Sequence, residues 1–387
     1  MARTRRARHT GPVATALEVG RARSDIDVMS RAGLPLSEFM HEAMASIARV
    51  VPFAGACVTT LDPATALVSS VRKVGEIAGH NDADVAWAQI EYGIEDPTTL
   101  IAMVEEGTAV LGVSDAFDGD IARSARMAEF MIPRFDYRDE ARVVFMDRSG
   151  PWGAVSMLRG ADEPRFGRDD LAFLREVAPA FTRGIRAGLL ATTGARAAAE
   201  DRGPAVVIVD AQDHIVQTSP GATAYLALIA DVPDPGDPLT MVQALVSGAR
   251  RFARGETDRV PRVRVRAGDG MWLVMHASPL GGTPDRVGDV VVTIEQARPQ
   301  EIIGIAADAF GLTPRERDLT AMVLRGADTK EIAAGMHVSP YTVQDHLKSI
   351  FEKARVTSRR ELVAKVYFDQ YVPRMGAEVG PTGWFLP

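Results

Sequence analysis

The spacing of hydrophobic positions changes several times along the chain, and the changes divide it. Leu36, Phe39, Met40, Met44, Ile47 and Val50–Val51 recur at helical spacing and predict a helix that Pro52 ends. Ala56–Leu61 and Ala66–Val71 predict two strands joined by an Asp62-Pro63 turn. A helix follows around Asp82–Tyr92. Ala141–Asp147 and Trp152–Leu158 predict a second strand pair around Arg148-Ser149-Gly150-Pro151. Phe166–Leu190 then predicts a long amphipathic helix, with Leu171, Leu174, Val177, Phe181 and Ile185 on one face. Residues 34–190 therefore read as one α+β unit.

Residues 191–203 are small and polar and read as a linker, with a helical connector as the alternative. Residues 204–297 read as a second, smaller α+β unit. Strands at Ala205–Asp210 and Ile215–Thr218 flank a Gln212-Asp213 turn, and a short helix starts near Pro220. A Pro/Asp/Gly loop spans Asp231–Pro238, and a helix spans Leu239–Arg254. Strands follow at Val260–Val265, Met271–Ser278 and Asp289–Glu295. The order β-β-α-α-β-β-β predicts an antiparallel sheet with helices on one face. From 305 to 370 the apolar period is helical throughout. Residues 1–33 carry Arg3, Arg5, Arg6, Arg8, Arg21, Arg23 and Arg31 with little hydrophobic periodicity at first, and read as a basic flexible segment, with an arm on the DNA backbone as the alternative. Residues 371–387 read as a loose Pro/Gly-rich tail. No internal repeat is evident.

Composition narrows the function classes. A chain of 387 residues predicts two to four domains, and 46% apolar with 25% charged residues excludes a mainly disordered, collagenous or coiled-coil protein. Lys+Arg number 44 against 51 Asp+Glu, a net charge of −7 that argues against a wholly basic nucleic-acid binder. The average conceals a contrast: Gly311–Phe368 holds ten Lys/Arg against seven Asp/Glu, +3, which leaves −10 on the rest. Cys57 is the single cysteine, so no internal disulfide or Cys-based zinc site forms and a reducing compartment fits. No apolar run reaches the roughly 18 residues that span a bilayer, and basic Met1–His9 precedes no apolar signal core, so a cytoplasmic protein is expected. The seven histidines show no zinc-site spacing with a third ligand nearby, and the Asp115, Asp118, Asp120 loop lacks the twelve-residue calcium pattern. No metal and no cofactor is expected. No phosphate loop, nucleophile elbow, HExxH or GxGxxG motif is present, and no catalytic residues are expected.

The richest signal lies between Leu312 and Val366. Thr313-Pro314-Arg315-Glu316 is a capping box with proline at the first helical position. Leu319, Met322 and Val323 face inward, and Gly326 stops the helix. Thr329 opens the next helix with Ile332 and Ala333 inward, and Ser339-Pro340 starts a third that runs to about Ala354. Its inward positions are Val343, Leu347 and Ile350, and Tyr341, Gln344, Asp345 and Lys348 share the exposed stripe. A last helix, Arg359–Phe368, carries Leu362, Val363 and Val366. This is the pattern of a helix-turn-helix, whose second helix enters the major groove. Gln suits adenine N6/N7, Lys suits guanine or phosphate, and the helix start with Ser339 and Thr342 suits phosphate.

The segments Leu-Thr-Pro-Arg-Glu-Arg (312–317), Thr-Lys-Glu-Ile-Ala (329–333), Val-Ser-Pro-Tyr-Thr-Val (338–343), His-Leu-Lys-Ser-Ile-Phe-Glu-Lys (346–353) and Arg-Arg-Glu-Leu-Val (359–363) resemble the LuxR-type helix-turn-helix over about 55 residues. The resemblance implies an all-α four-helix domain that binds double-stranded DNA, usually as a homodimer. It implies base-facing roles for Gln344, Asp345 and Lys348 and backbone roles for Lys330, Thr342 and His346. The sequence departs from the family at Gln344-Asp345, where Lys and then a small or polar residue is common.

Residues 34–190 resemble a GAF domain, on Arg142–Arg159 with its Trp152-Gly153 and on Pro164–Leu174. Residues 204–297 resemble a PAS domain, on Val209–Ile215 and Ser219–Leu226. The fold class expected is thus α+β multidomain: a GAF-like unit, a smaller PAS-like unit and a C-terminal all-α helix-turn-helix domain. Trp87, Tyr92 and Trp152 are candidates to line a GAF-like pocket for a small-molecule effector, with plain core as the alternative. Cys57 reads as a small core residue, with a redox thiol as the alternative. The expected function is a one-component transcription regulator that senses a ligand or partner, with RNA polymerase as a further partner and no membrane. The alternatives are a constitutive DNA-binding dimer whose upstream units only dimerise, and an enzyme acting on a small ligand in the GAF-like unit.

Overall fold

The computed structural model describes residues 14–191, 204–231, 236–281 and 288–368. The linker at 192–203, residues 232–235 of the Pro/Asp/Gly loop and the tail at 371–387 lie outside the described residues.

The first departure from expectation comes at the start. Thr15 and Glu18 form a capping box that opens helix α1 (Ala16–Arg31). The reading of 1–33 as a flexible segment is corrected from Thr15 onward. The helix escaped notice because its buried stripe is narrow and mostly small: Ala22, Ile26 and Ser30. Its arginines make ion pairs, Arg23 with Glu176 at 2.7 Å and Arg31 with Asp27 at 3.1 Å.

Helix α2 (Leu36–Ala48) precedes β1 (Gly55–Leu61) and β2 (Val68–Gly75). Helices α3 (Asp84–Gly93) and α4 (Leu100–Glu105), the short β3 (Val110–Gly112), and the single turns α5 (Val113–Ala116) and α6 (Ile132–Phe135) follow. Strands β4 (Tyr137–Asp147) and β5 (Gly150–Gly160) lead into α7 (Arg168–Leu189). The sheet is antiparallel in the order β2-β1-β5-β4-β3. Helices α1, α2 and α7 share one hydrophobic core with its inward residues Phe145 and Trp152. Helix α7 lies close on α2 because Gly184 and Gly188 have no side chain. A Cβ there would fall 2.0 Å from the Phe39 ring and 2.7 Å from the Leu36 backbone.

The second unit comprises β6 (Val206–Val209), β7 (Ile215–Thr218), α8 (Pro220–Ala230), α9 (Leu239–Ala253), β8 (Arg262–Arg266), β9 (Trp272–Pro279) and β10 (Val290–Gln296). Its antiparallel order, β7-β6-β10-β9-β8, repeats that of the first sheet when strands are counted within each unit. The repeat is one of topology, without the sequence periodicity that would have announced it. Helices α8 and α9 share one core with Val207, Val263, Met275 and Val292 of this sheet, as the element order predicts.

Helix α9 also packs against α3 of the first unit. Every residue from Thr240 to Ser247 is buried, the pattern of a helix covered on all sides. One continuous core therefore runs through both units. Helix α10 (Pro299–Ala309) leads into four further helices: α11 (Pro314–Leu324), α12 (Thr329–Met336), α13 (Pro340–Ala354) and α14 (Arg359–Val363), the last continued by a wider turn at Ala364–Phe368. The expected helical region thus begins at Pro299 rather than 305.

The units are joined at β8, an edge strand. Val263 and Val265 face the core, and Arg262, Arg264 and Arg266 alternate with them on the other face. Arg264 donates to Asp62 from its backbone N at 2.8 Å, Nε at 2.9 Å and Nη2 at 2.7 Å. The side chains are 5% and 0% exposed. Burial opposes the Asp62 charge, but the Arg264 hydrogen bonds outweigh it and hold the carboxyl below the usual carboxylate range. Arg262 reaches Glu301 of α10 at 2.9 Å, and Arg266 donates to the Leu189 carbonyl at the end of α7.

Arg264→Ala leaves Asp62 charged and buried without its partner. Urea unfolding at pH 7 is expected to show a loss of about 3–5 kcal/mol. Asp62→Ala/Arg264→Ala should recover part of that loss, since it removes the stranded charge.

Candidate nucleic-acid interface and sensor cavity

Local chemistry sets each helix of the C-terminal domain. Thr313 and Glu316 form the expected capping box. The Glu316 carboxylate also accepts from Ser349 at 2.7 Å and Lys353 at 2.6 Å, tying α11 to α13. Burial pushes Glu316 up, but the bonds from Lys353, Thr313 and Ser349 outweigh it, and its pKa falls to about 2. Helix α12 is capped by Asp328, whose side chain accepts from Lys330 N and Glu331 N, one residue before the expected start. His337 then adopts the left-handed conformation, with φ 54°, and turns the chain. Ser339 caps α13 by accepting from Thr342 N at 3.1 Å.

Helix α13 buries Val343, Leu347 and Ile350 against Ile332, Ala333 and Met336 of α12 and Leu319 of α11. Gln344, Asp345 and Lys348 are exposed on the opposite stripe, with Tyr341 77% exposed. Ser339 and Lys330 are exposed, and Thr342 and His346 are half-buried. Gln344 Nε2 lies 3.4 Å from Thr329 Oγ1, beside Lys330, so the start of α12 adjoins the α13 stripe. Of the eight residues singled out in the sequence, Lys330, Ser339, Tyr341, Gln344, Asp345 and Lys348 are exposed on α12, α13 and the turn between them, and Thr342 and His346 are half-buried on α13. The far end of α13 is tethered instead: Arg355 donates to the Arg31 carbonyl of α1 at 3.0 Å.

The three aromatic candidates of the first unit do not gather. Trp87 lines a cavity of about 40 Å3 with Cys57, Lys73, Asp84, Phe130 and Phe135. The Tyr92 hydroxyl is spent on Val68 N at 3.0 Å, and the residue lines a different cleft. Trp152 is fully buried in the α1–α2–α7 core. The three-residue pocket is corrected to Trp87 alone. By alternation alone Trp152 would share a face with Ser156 and Leu158, which line the same cavity as Trp87; the β4–β5 pairing instead steps from Phe145↔Gly153 to Met146↔Pro151, and Trp152, the extra residue, turns to the opposite face.

Sequence reasoning missed the polar wall of that cavity. Cys57 pairs across the sheet with Lys73 on β2 and Ser156 on β5, a neighbourhood that only strand register creates. Lys73 bonds Asp84, and the Asp84 carboxylate also accepts from Asp237 N at 2.8 Å. Asp237 in turn caps Leu239 N at the start of α9. Burial and then the Asp84 charge push the Cys57 thiol up to about 12, so it is neutral at pH 7 and not a reactive thiolate.

A buried charge cluster was missed as well. Glu91, Arg126, Glu140 and Arg142 have fully buried side chains. Arg142 holds Glu91 at 2.9 Å and donates to the Thr98 carbonyl, while Arg126 holds Glu140. Asp96 accepts from Thr98, Ser124 and Arg126 N. These bonds pin the aperiodic stretch between α3 and β4. Among the described residues no group of three or more His, Cys, Asp or Glu is placed to hold a metal ion, and no helix is long and apolar enough to cross a membrane.

Residues 311–366 match the family described as bacterial regulatory proteins, luxR family. Helices α11–α14 are a LuxR-type helix-turn-helix domain. The monoamine regulon transcriptional regulator of Klebsiella aerogenes is 43% identical over 56 residues, 14% of this chain and 25% of that protein. A protein of Mycobacterium bovis named as an HTH-type transcriptional regulator is 29% identical over 195 residues, 46% of this chain and 21% of its own length. The chain spans at most 25% of the length of these two relatives. Among solved structures, the GAF domain of a phosphoenolpyruvate-protein phosphotransferase from Coxiella burnetii aligns at 12% identity over 44% of this chain and 95% of that one, with a TM-score of 0.30.

The pKa of Glu316 makes a test of the domain. Its contribution is present in full above pH 4.5 and is lost as pH falls toward 2. Glu316→Gln should lower stability by roughly 3 kcal/mol at pH 7. It should also flatten the decline of the wild type in that acid window, read by circular dichroism melts.

Proposed function

We propose that the protein is a sequence-specific DNA-binding transcription regulator of the cytoplasm, acting as a homodimer. The observation that carries this reading is the stripe of α13: a helix capped by Ser339, anchored by Val343, Leu347 and Ile350, presents Tyr341, Gln344, Asp345 and Lys348 to solvent in a LuxR-type domain. Gln344 and Lys348 supply the donors that read purine edges, and Asp345 supplies an acceptor for cytosine N4. Lys330, Ser339, Thr342 and His346 flank them as backbone contacts. The acidic remainder of the chain repels DNA and leaves the helical domain as the surface that approaches it. No catalytic role is assigned.

The upstream units act as the sensor. Lys73 and Asp84 give the Trp87 cavity a polar wall, and Asp84 also holds the segment that caps α9. A ligand that separates Lys73 from Asp84 therefore disturbs α9. That helix packs on the sheet whose edge strand grips α10, and α10 leads into α11. An effector biases the DNA-binding arrangement only as far as it binds two arrangements differently. One observation favours the second reading, a constitutive dimer: at about 40 Å3 the cavity has room for a few waters, well below the roughly 300 Å3 and more of ordinary ligand sites. The sensor reading requires it to open.

Lys348→Ala is expected to weaken binding to a selected operator by about 1–3 kcal/mol in a gel-shift or anisotropy titration and to relax preference at one base pair. Lys330→Ala should weaken all sequences alike and reduce the salt slope by about one. Unchanged operator preference in Lys348→Ala would remove α13 from the base edges.

A further inference from the structure

At the exposed stripe of α13, one side-chain hydrogen bond reaches back to α12. Gln344 Nε2 donates to Thr329 Oγ1 at 3.4 Å, across 15 residues of chain. Among the described residues it is the only side-chain hydrogen bond of either residue. Both partners stand on fixed backbone. Thr329 is the first residue of α12, in a turn set by the capping box: Asp328 Oδ1 accepts from Lys330 N at 2.7 Å and from Glu331 N at 2.9 Å. Its β-branched side chain has few rotamers to choose from. Gln344 lies between Val343 and Leu347, which bury α13 on both sides of it. The Gln344 side chain itself is exposed, and Thr329 is what restricts its amide.

The restriction matters for what the amide can read. A glutamine carries two N–H donors on Nε2 and an acceptor at Oε1. An adenine edge takes one of each, with N7 accepting an N–H and N6 donating to Oε1. A guanine edge offers two acceptors, N7 and O6, and only N–H groups satisfy both. Thr329 occupies one N–H of Gln344. The other N–H and Oε1 remain, which is the set that adenine needs and one donor short of the set that guanine needs. Held this way against guanine, Oε1 would face O6, acceptor against acceptor.

We propose, resting on the reading of α13 as the helix that meets base edges, that Thr329 is a positioning residue: by holding one N–H of Gln344 it sets the amide for adenine and against guanine. At 3.4 Å the bond is long, so Thr329 steers the amide rather than locking it, and its effect has the size of one neutral hydrogen bond. A side chain already steered also loses less freedom when it meets the base. Gln344 stands where the LuxR-type pattern commonly has Lys, and a Lys ammonium has no acceptor for adenine N6. The pair therefore gives this chain a base preference of its own.

The test uses the full chain and duplexes selected by it from a random-sequence library, titrated by fluorescence anisotropy at fixed salt. Gln344→Ala marks the base pair that Gln344 reads, as the position where preference is lost. At that position Thr329→Val, which keeps the shape and removes the hydroxyl, is expected to lower the ratio of adenine to guanine affinity by about three- to tenfold. Thr329→Ser keeps a hydroxyl and should return the ratio toward the wild-type value. In Thr329→Val/Gln344→Ala the ratio should match that of Gln344→Ala alone, since the two residues act through one bond. Each ratio is taken on one protein, so a change in the folded fraction cancels. An unchanged ratio in Thr329→Val would overturn the positioning role. So would an equal loss on every duplex with the ratio intact, which would make Thr329 a backbone contact. If Gln344→Ala alters preference at no base pair, base reading by Gln344 fails first, and the role of Thr329 falls with it.

Discussion

Asp62 and Arg264 come from different units, and neither can reach water unless the units part. A buried ion pair repays its desolvation only with near-ideal geometry, and the three hydrogen bonds from Arg264 to one carboxylate supply it. The same strand carries Arg262 to Glu301 and Arg266 to Leu189, so β8 sets the first unit, the end of α7 and the start of α10 relative to one another. The continuous core through α3 and α9 then supplies the apolar burial that the charges alone could not.

Two further tethers run from the first unit to the end of α10, which leads into the helical domain. Arg186 of α7 donates to the Ala309 carbonyl at 2.9 Å, and Ser149, at the tip of the β4–β5 hairpin, donates to the Asp308 carbonyl at 3.3 Å. Arg317 of α11 pairs with Asp308 at 2.5 Å. The end of α10 is thus held from both sides, while the start of α13 faces solvent. The helical domain is thus held to the first unit at the end of α10 and, through Arg355 on the Arg31 carbonyl, at the far end of α13, and the exposed stripe takes no part in these contacts. The domain itself is stiffened by Glu316, which ties two of its helices, so it is fitted to move as a unit.

Much of this was legible in the sequence where local chemistry decides. Capping residues, proline at the first helical turn, and the spacing of Val343, Leu347 and Ile350 placed the helix-turn-helix and its outward side chains to within a residue or two. Most strands of both units were legible as short runs rich in apolar residues bounded by turn residues. Illegible were the elements whose signal is short or inverted. Strand β3 is only three residues long. Helix α1 buries a narrow stripe of mostly small side chains beneath a row of arginines. The stretch between α3 and β4 is held by buried Glu91, Arg126, Glu140 and Arg142, residue types that read as solvated when seen alone.

The sequence by itself determined the helical head and the two antiparallel units, because caps and hydrophobic period act within a few residues. Only the tertiary structure decided what the charged residues do. The alternating arginines of β8 form a bracket between units because their partners are distant in the chain: Asp62, 202 residues away, holds Arg264, Glu301 holds Arg262, and the Leu189 carbonyl accepts from Arg266. Cys57, Lys73 and Ser156 became one wall through strand register, and Trp152 left the pocket assigned to it because it is an extra residue in β5, opposite the Phe145–Met146 step of β4, and turns to the other face. Burial and pairing over long separations carry no local period, so no reading of neighbours along the chain reveals them.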